Sequence, residues 1–296
     1  MKDFLTRIYE DFKVEEENWC EIADSQFVPN GLSNKIYGGY EKEHFQQFYM
    51  LKYTPLYIAE YVEIYEKFLE DYDKDTLRVL SVGVGSGLDY YALTKVLEER
   101  NNIELEYLGI DLVDWNYRNE KIDFEQVDLK DISENEHVID FIQDGIDVVI
   151  FPKSIIEIPT YIRQRLGIPY QNDAFTELCN ILVENHIDDV WFLNSYIKTY
   201  KEVTGLNEFS HIVDNLKSEG YIIVNGVDEK HYYESSSGEN SVHYPLDYRN
   251  TWQLDLQNYC HRKCSEEQAE KCRLAQYPML RKSHIAFGIT NFKKVA

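Results

Sequence analysis

The feature that most constrains the fold is a glycine-rich turn between a strand pattern and a helix pattern. Leu77–Val82 is a short, largely apolar run, and helical spacing of apolar residues follows over Leu88–Leu97. Gly83, Gly85 and Gly87 stand between them at alternate positions. Glycine lets a backbone pass close to a ligand, and the free N–H groups of the next helix would point at that ligand. The stretch therefore predicts a turn that binds a nucleotide-type ligand.

Strand and helix patterns alternate regularly from this turn onward, which is typical of a doubly wound sheet. The seven predicted strands cover residues 76–82, 103–111, 121–127, 146–151, 189–194, 221–224 and 284–290. Helical patterns separate most of the first six strands, whereas the last two strands follow each other without a comparable pattern. We therefore predict an α/β fold with a doubly wound, mostly parallel, seven-stranded sheet.

Four segments follow from this pattern. Residues 1–75 carry helical patterns and are expected to form a helical cover over the sheet, and residues 76–224 are expected to form the ligand-binding core. Residues 225–283 form a long connection of the kind that usually serves as a lid or subdomain. Residues 284–296 would return to the sheet as its last strand.

Two local predictions concern proline and a polar loop. Pro55 after Thr54 suits the first turn of a helix, so we expect one helix over residues 41–51 and another over residues 56–71. The stretch 230–245 is rich in Tyr, His and Ser and predicts a loop that either closes over a substrate or lies on the surface.

The spacing Gly83-x-Gly85-x-Gly87 resembles motif I of the class I S-adenosylmethionine (SAM)-dependent methyltransferases. A dinucleotide-binding turn has a small residue one position later, and Leu88 therefore disfavours a nicotinamide-dependent oxidoreductase. The resemblance implies a methyltransferase whose glycines approach the methionine part of SAM. Most members of that family have an acid at the position of Ser81. Serine there leaves open a second interpretation, a SAM-binding regulatory or interaction module without catalysis.

Two further acids follow predicted strands. Asp111 ends the second strand, 24 residues beyond Gly87, a distance at which an acid can accept hydrogen bonds from both ribose hydroxyls. Asp128 follows the third strand and resembles the acid that contacts adenine in the methyltransferase family. Leu129 would offer its backbone N–H to the same ring. Together with Ser81 and the three glycines, these residues form the predicted cofactor site.

The segment after the fourth strand is where class I methyltransferases orient the methyl acceptor. Ser154 and Glu157 are the polar candidates there, and Glu157 could take up the proton that the acceptor releases. The alternative for Glu157 is that it only anchors the following loop. We therefore carry Ser154 and Glu157 as predicted catalytic residues.

The Ser-x-x-Glu-x-Pro stretch at residues 154–159 has a companion in the Tyr-x-x-x-Tyr-x-Pro stretch at residues 49–55. With the clustered cysteines, these stretches resemble the ribosomal small-subunit methyltransferase-like family, whose members carry a cysteine-bound iron–sulfur cluster. Cys260, His261, Cys264 and Cys272 are the ligands predicted here for zinc or for such a cluster. The alternative is a set of reduced, partly buried thiols.

The net charge of −23 argues against a general grip on nucleic acid, since such binding needs Lys and Arg to neutralise phosphates. Residues 260–296, with 8 basic and 3 acidic side chains, are locally positive and keep structured RNA as an alternative acceptor. A small molecule or a protein is the favoured methyl acceptor. With no apolar run as long as a membrane span and no signal-peptide pattern, we expect a cytoplasmic protein without a membrane partner.

Overall fold

The computed structural model describes residues 2–14, 19, 40–100, 102–156, 158, 173–198, 203–234, 246–276, 278–280 and 282–295. The chain divides into two compact units. The helical unit consists of residues 1–57, 115–117 and 233–283, and the sheet unit consists of residues 58–114, 118–232 and 284–296.

The described residues contain eight strands in one sheet. In chain order these are β1 Thr76–Val82, β2 Glu104–Asp111, β3 Asp123–Gln126, β4 Val148–Pro152, β5 Asp189–Lys198, β6 Val203–Thr204, β7 Tyr221–Glu234 and β8 Lys282–Lys294. Their order in the sheet is β3-β2-β1-β4-β5-β8-β7, and β6 pairs with β5 beside this path.

Parallel pairing dominates the sheet. β1 lies between β2 and β4 and is parallel to both, while β2 is parallel to β3 and β4 is parallel to β5. The last strand of the chain, β8, is antiparallel to β5, with Asp189 opposite Lys293 and Tyr196 opposite Ala286. This arrangement confirms the predicted doubly wound, mostly parallel sheet.

The predicted number of seven strands is corrected to eight. The additional strand, β6, is only two residues long and pairs with the end of β5 through Ile197 and Lys198. Two residues are too few to show the period of two from which strands are predicted.

The described residues also form nine α-helices. They are α1 Lys2–Val14, α2 Glu43–Phe68, α3 Leu88–Glu98, α4 Glu136–Gln143, α5 Asp173–Glu184, α6 Leu206–Ser218, α7 Leu246–Lys263, α8 Glu266–Lys271 and α9 Arg273–Gln276. A 3₁₀ helix spans Leu129–Glu134. Across these ranges, no helix combines the length and the apolar character that crossing a membrane would require.

Helix α2 corrects the prediction of two helices separated at Pro55. The helix is continuous, and Pro55 lies in its interior, where proline removes one backbone N–H donor. The Thr54 hydroxyl donates to the backbone oxygen of Met50 at 2.5 Å. Buried Leu51 and Leu56 flank the proline in sequence. Burial of apolar side chains outweighs the weak local helix preference here.

The predicted end of the sixth strand at residue 224 is also corrected, since β7 continues to Glu234. Within the additional part of the strand, the Asn225 side chain donates to Asp71 Oδ2 at 2.7 Å. The strand therefore includes residues 230–234 of the predicted loop, and residues 235–245 lie outside the described residues. β7 ends the strand order, and its buried first residue, Tyr221, is followed by the exposed side chains Ile222, Ile223 and Val224.

Side chains alternate between the two faces of the sheet. Leu80 and Val82 of β1 join a buried cluster with Phe192 of β5, Leu178 of α5 and Ile212 of α6. On the face to which Trp191 points, its ring meets the ring of Phe68 of α2 edge-on, with centroids 5.5 Å apart. Helices thus contribute apolar side chains to both faces, as a doubly wound sheet requires.

The helical unit has an aromatic core of its own. The Phe12 ring stacks on Trp19 with centroids 5.2 Å apart, and it meets Trp252 edge-on at 6.3 Å. All three rings are fully buried. The Tyr9 hydroxyl of α1 donates to Asp255 of α7, so the first helix and the helices before β8 pack together.

We expect the substitution Pro55→Ala to raise the free energy of unfolding by about 1–3 kcal/mol, because alanine restores a helix donor and removes the clash of the proline ring. Urea unfolding followed by circular dichroism measures the change. Pro278→Ala is the control, since Pro278 lies in a bend outside the helices and should show no such gain. A loss of stability in Pro55→Ala would favour two separate helices.

Candidate functional site

The glycine turn lies directly after β1 and adopts backbone conformations that favour glycine. The φ angles of Gly83, Gly85 and Gly87 are +74°, +54° and +74°, all in the left-handed region. The N–H groups of Gly83 and Val84 both donate to the carbonyl oxygen of Ile110 on β2, at 2.8 and 3.1 Å. The turn is therefore fixed to the neighbouring strand through its backbone.

Two of these glycines also have no room for a side chain. A Cβ atom on Gly83 would lie 2.3 Å from Cβ of Ser154, and one on Gly87 would lie 2.1 Å from Cδ1 of Ile122. The Ser154 clash involves a short side chain close to its backbone, so it would be the harder one to relieve. Backbone strain and crowding together account for the alternating glycines of the sequence.

Asp111, at the end of β2, faces the glycine turn. Its Oδ2 accepts from the N–H of Gly85 at 2.8 Å, and its Oδ1 accepts from the N–H of Val113 at 2.9 Å. Burial raises the pKa of Asp111, while these N–H donors and the nearby Arg118 oppose that rise. The structure thus brings together the glycine turn and the acid that the sequence predicts for the ribose.

Arg118 belongs to the same neighbourhood, and the sequence analysis missed it. Its Nε donates to the carbonyl oxygen of Gly85 at 3.1 Å, and its guanidinium lies 3.2 Å from the ring centroid of Phe124 on β3. A second bond joins its Nη1 to Asp114 at 3.1 Å. A single arginine between predicted strands carries no recognisable pattern, so only the three-dimensional arrangement reveals it.

Ser81, at the position where the resemblance led us to expect an acid, is hydrogen-bonded to an acid from another element. Its hydroxyl donates to Oδ2 of Asp89 at 2.9 Å, and the Tyr107 hydroxyl donates to the same oxygen at 2.6 Å. Asp89 lies in the first turn of α3 and is fully buried, as is Ser81. A buried carboxylate therefore lies beside the end of β1, but helix α3 supplies it. Its signal in the sequence was an acid two residues after the third glycine.

Burial is the main reason why the pKa of Asp89 is raised from 3.8 to about 6. The bonds from Tyr107 and Ser81 oppose this rise, as do the backbone N–H groups of Asp89 and Tyr90. A carboxyl at a helix N-terminus is favoured by the helix dipole when it is ionised. With a pKa of about 6, the Asp89 carboxyl changes its charge in response to small changes in its surroundings.

The two residues predicted to hold adenine begin the 3₁₀ helix after β3. Oδ1 of Asp128 accepts from the N–H of Lys130 at 3.2 Å, so the side chain caps this helix. Lys130 Nζ also lies 3.6 Å from Oδ2 of Asp128. The Leu129 side chain is buried in the core of the sheet unit. Their contact with adenine stays a prediction.

Ser154 lies close to the glycine turn, after β4. Its hydroxyl donates to the carbonyl oxygen of Val82, the last residue of β1, and its Cβ would clash with a side chain at Gly83. This placement joins the two strand ends and leaves Ser154 almost fully buried. Glu157, the other predicted catalytic residue, lies outside the described residues.

A buried ion pair adjoins Ser154, and no sequence pattern predicts it. Lys153 Nζ lies 2.6 Å from Oε1 of Glu60, which belongs to α2, far earlier in the chain. Glu60 is fully buried, and Lys153 nearly so. Charged side chains almost never occupy such positions unless they are paired, so sequence patterns place them on the surface by default.

The predicted metal site is not supported. Across the described residues, no three His, Cys, Asp or Glu side chains are arranged to hold a metal ion. Cys260 is buried near the end of α7, whereas its neighbour His261 is exposed, because successive residues on a helix point about 100° apart. Cys264 and Cys272 are half-buried and separated in sequence by α8. Their proximity in sequence does not become a ligand set.

No protein-family model matches the chain. A search of curated proteins also found no matching sequence.

Solved structures do resemble it. YcgJ of Bacillus subtilis is 12% identical with a TM-score of 0.38, over 79% of this chain and 99% of its own. YjhP of E. coli is 14% identical with a TM-score of 0.36, over 88% and 100% of the two chains. The plantazolicin methyltransferase BpumL, solved with S-adenosylhomocysteine (SAH), is 13% identical with a TM-score of 0.34 over all of both chains.

We expect Asp89→Asn to remove a pH dependence of stability. The native carboxyl binds its proton more tightly than the unfolded one, so its contribution is greatest below about pH 4 and is lost as the pH rises through about 6. The free energy of unfolding of the wild type, relative to Asp89→Asn, should fall by at most about 3 kcal/mol between pH 4 and 7. Urea unfolding at several pH values measures it.

Asp140→Asn is the matched control, because that carboxyl is exposed on α4. This variant should keep the pH profile of the wild type. A profile of Asp89→Asn that runs parallel to that of the wild type would contradict the raised pKa of Asp89.

Protein purified without chelators should contain well under one equivalent of zinc or iron, because the cysteines do not converge on one point. Plasma mass spectrometry measures the metal content. Stoichiometric metal that disappears in the double variant Cys264→Ser/Cys272→Ser would restore the original prediction.

Proposed function

We propose that this protein is a SAM-dependent methyltransferase. The observation that carries the proposal is the 2.8 Å hydrogen bond from the N–H of Gly85 to Asp111. It joins a glycine turn after β1 to an acid after β2, at the carboxyl ends of adjacent parallel strands. In open α/β sheets, ligands bind at these ends, near the point where the strand order reverses. Here that point is β1, which has β2 on one side and β4 on the other.

The residues present fit an adenosine group. Each oxygen of Asp111 accepts one backbone N–H, and a carboxylate oxygen has a further lone pair with which it can accept a ribose hydroxyl. Arg118 holds the carbonyl oxygen of Gly85 and so keeps the turn in place. We assign the adenine end to Asp128 and Leu129, which follow β3 at the same edge of the sheet.

SAM would supply a methyl group on a positively charged sulfur. An acceptor atom would attack the methyl carbon in line with the carbon–sulfur bond, and SAH would leave. The chain itself then has to align the two partners and receive a proton. Ser154 supports the wall of the glycine turn next to the end of β4, and Glu157 is proposed as the proton acceptor. Given the net charge of −23, we favour a small molecule or a protein as methyl acceptor over RNA.

Calorimetric titration with SAM, SAH and NAD tests the proposal. The protein should bind SAM and SAH and should not bind NAD. Asp111→Asn should weaken SAM binding by about 10- to 100-fold. The asparagine NH2 group replaces one carboxylate oxygen, so that a donor would face the N–H donor of Gly85 or Val113. Asp123→Asn on β3 is the control and should bind SAM as the wild type does.

Tight NAD binding without SAM binding would overturn the proposal in favour of an oxidoreductase. If SAM binds but no methyl group reaches any small-molecule, peptide or RNA acceptor, the enzymatic part of the proposal fails. A binding module of the same fold would then be the better description.

A further inference from the structure

The residue that follows β4 has an unusual backbone. Lys153 has a φ of +63°, in the left-handed region that a residue with a side chain rarely adopts. It lies one residue beyond Pro152, the last residue of β4, and its side chain is almost fully buried. Strain of this kind persists only where surrounding contacts hold the backbone, and it is concentrated at functional sites.

The contacts that hold Lys153 come from two other elements. Its Nζ donates to Oε1 of Glu60 on α2 at 2.6 Å and to the carbonyl oxygen of Tyr196 on β5 at 2.5 Å. The Ser195 hydroxyl donates to the same Glu60 oxygen at 2.7 Å. The ammonium thus ties the residue after β4 to both α2 and β5.

Stability is a poor explanation for this pair. Moving two charges out of water costs more than their attraction commonly returns, and apolar replacements of such pairs are often neutral or stabilising. Among the described residues, the second oxygen of Glu60, Oε2, is buried and has no hydrogen-bond partner. Burial raises the pKa of Glu60 and lowers the pKa of Lys153, and each opposes the other's shift.

The next residue in the chain links this pair to the glycine turn. Ser154 donates to the carbonyl oxygen of Val82, and its Cβ occupies the space beside Gly83. The direction in which Ser154 points is set by the backbone of the residue before it. A change in the backbone of Lys153 would therefore move the side chain that supports the start of the glycine turn.

We propose that Lys153 is a positioning residue for the cofactor site. Its ammonium, held by Glu60 and Tyr196, keeps the turn after β4 in the left-handed form in which Ser154 supports Gly83. This inference rests on the proposed function, since the site that it serves is the SAM site.

The test compares Lys153→Met, Glu60→Gln and the double variant Glu60→Gln/Lys153→Met with the wild type. Calorimetric titration gives the affinity for SAM, and urea unfolding gives the stability. Each single variant leaves one partner unmatched in the interior and should lose stability. The double variant removes both charges and should recover most of that loss. Its SAM affinity should nevertheless stay at least about 10-fold below that of the wild type, because methionine cannot hold the turn.

Lys67→Met is the matched control. Lys67 also lies on α2 and pairs with Glu229, at 2.9 Å, but both side chains are about one-third exposed. Its affinity for SAM should equal that of the wild type.

The outcomes are distinct. A double variant that recovers both stability and full SAM affinity would show that the pair only stabilises the fold, and it would overturn the inference. Recovered stability with weak SAM binding supports the inference. If the wild type itself fails to bind SAM, the proposed function fails, and the inference fails with it.

Discussion

The parallel pairing of β1 with both β2 and β4 is the constraint from which the rest of the site follows. Because the three strands run the same way, the turns that leave their carboxyl ends meet at one edge of the sheet. The glycine turn is fixed to β2 through the carbonyl oxygen of Ile110, and the β4 side is fixed to it through Ser154 and Val82. Without the neighbouring turn at the same ends of the strands, each turn would lose these contacts.

Three carboxylates lie around this edge, and their surroundings differ in kind. Asp111 accepts backbone N–H groups, Asp89 accepts hydroxyl groups as well as backbone N–H groups, and Glu60 pairs with an ammonium. A carboxylate that accepts N–H groups can still accept hydrogen bonds from ligand hydroxyls. One that is enclosed by protein side chains forms its hydrogen bonds with those side chains. The proposed function accordingly assigns a ligand contact to Asp111, whereas Asp89 and Glu60 are bonded to side chains of the protein.

Sequence patterns predicted the sheet more completely than they predicted the site. Long apolar strands and the glycine turn have local periods or spacings, so the order of elements was predictable. Pro55 was misread, because burial overrode the local preference for a helix start, and the sixth strand continues beyond its predicted end at residue 224. Lys153 and Glu60 could not be found in this way: they are 93 positions apart, and their significance depends on mutual burial. The cysteines failed in the opposite sense, since closeness in sequence did not give, among the described residues, three side chains arranged to hold a metal ion.

The buried acid beside the end of β1 belongs to α3, and this limits which residues position 81 can accept. An acid restored at residue 81 would meet the carboxylate of Asp89, because the two side chains already lie within hydrogen-bond distance. Two like charges there, out of contact with water, would repel each other. An acid at residue 81 is therefore disfavoured as long as Asp89 keeps its carboxyl group.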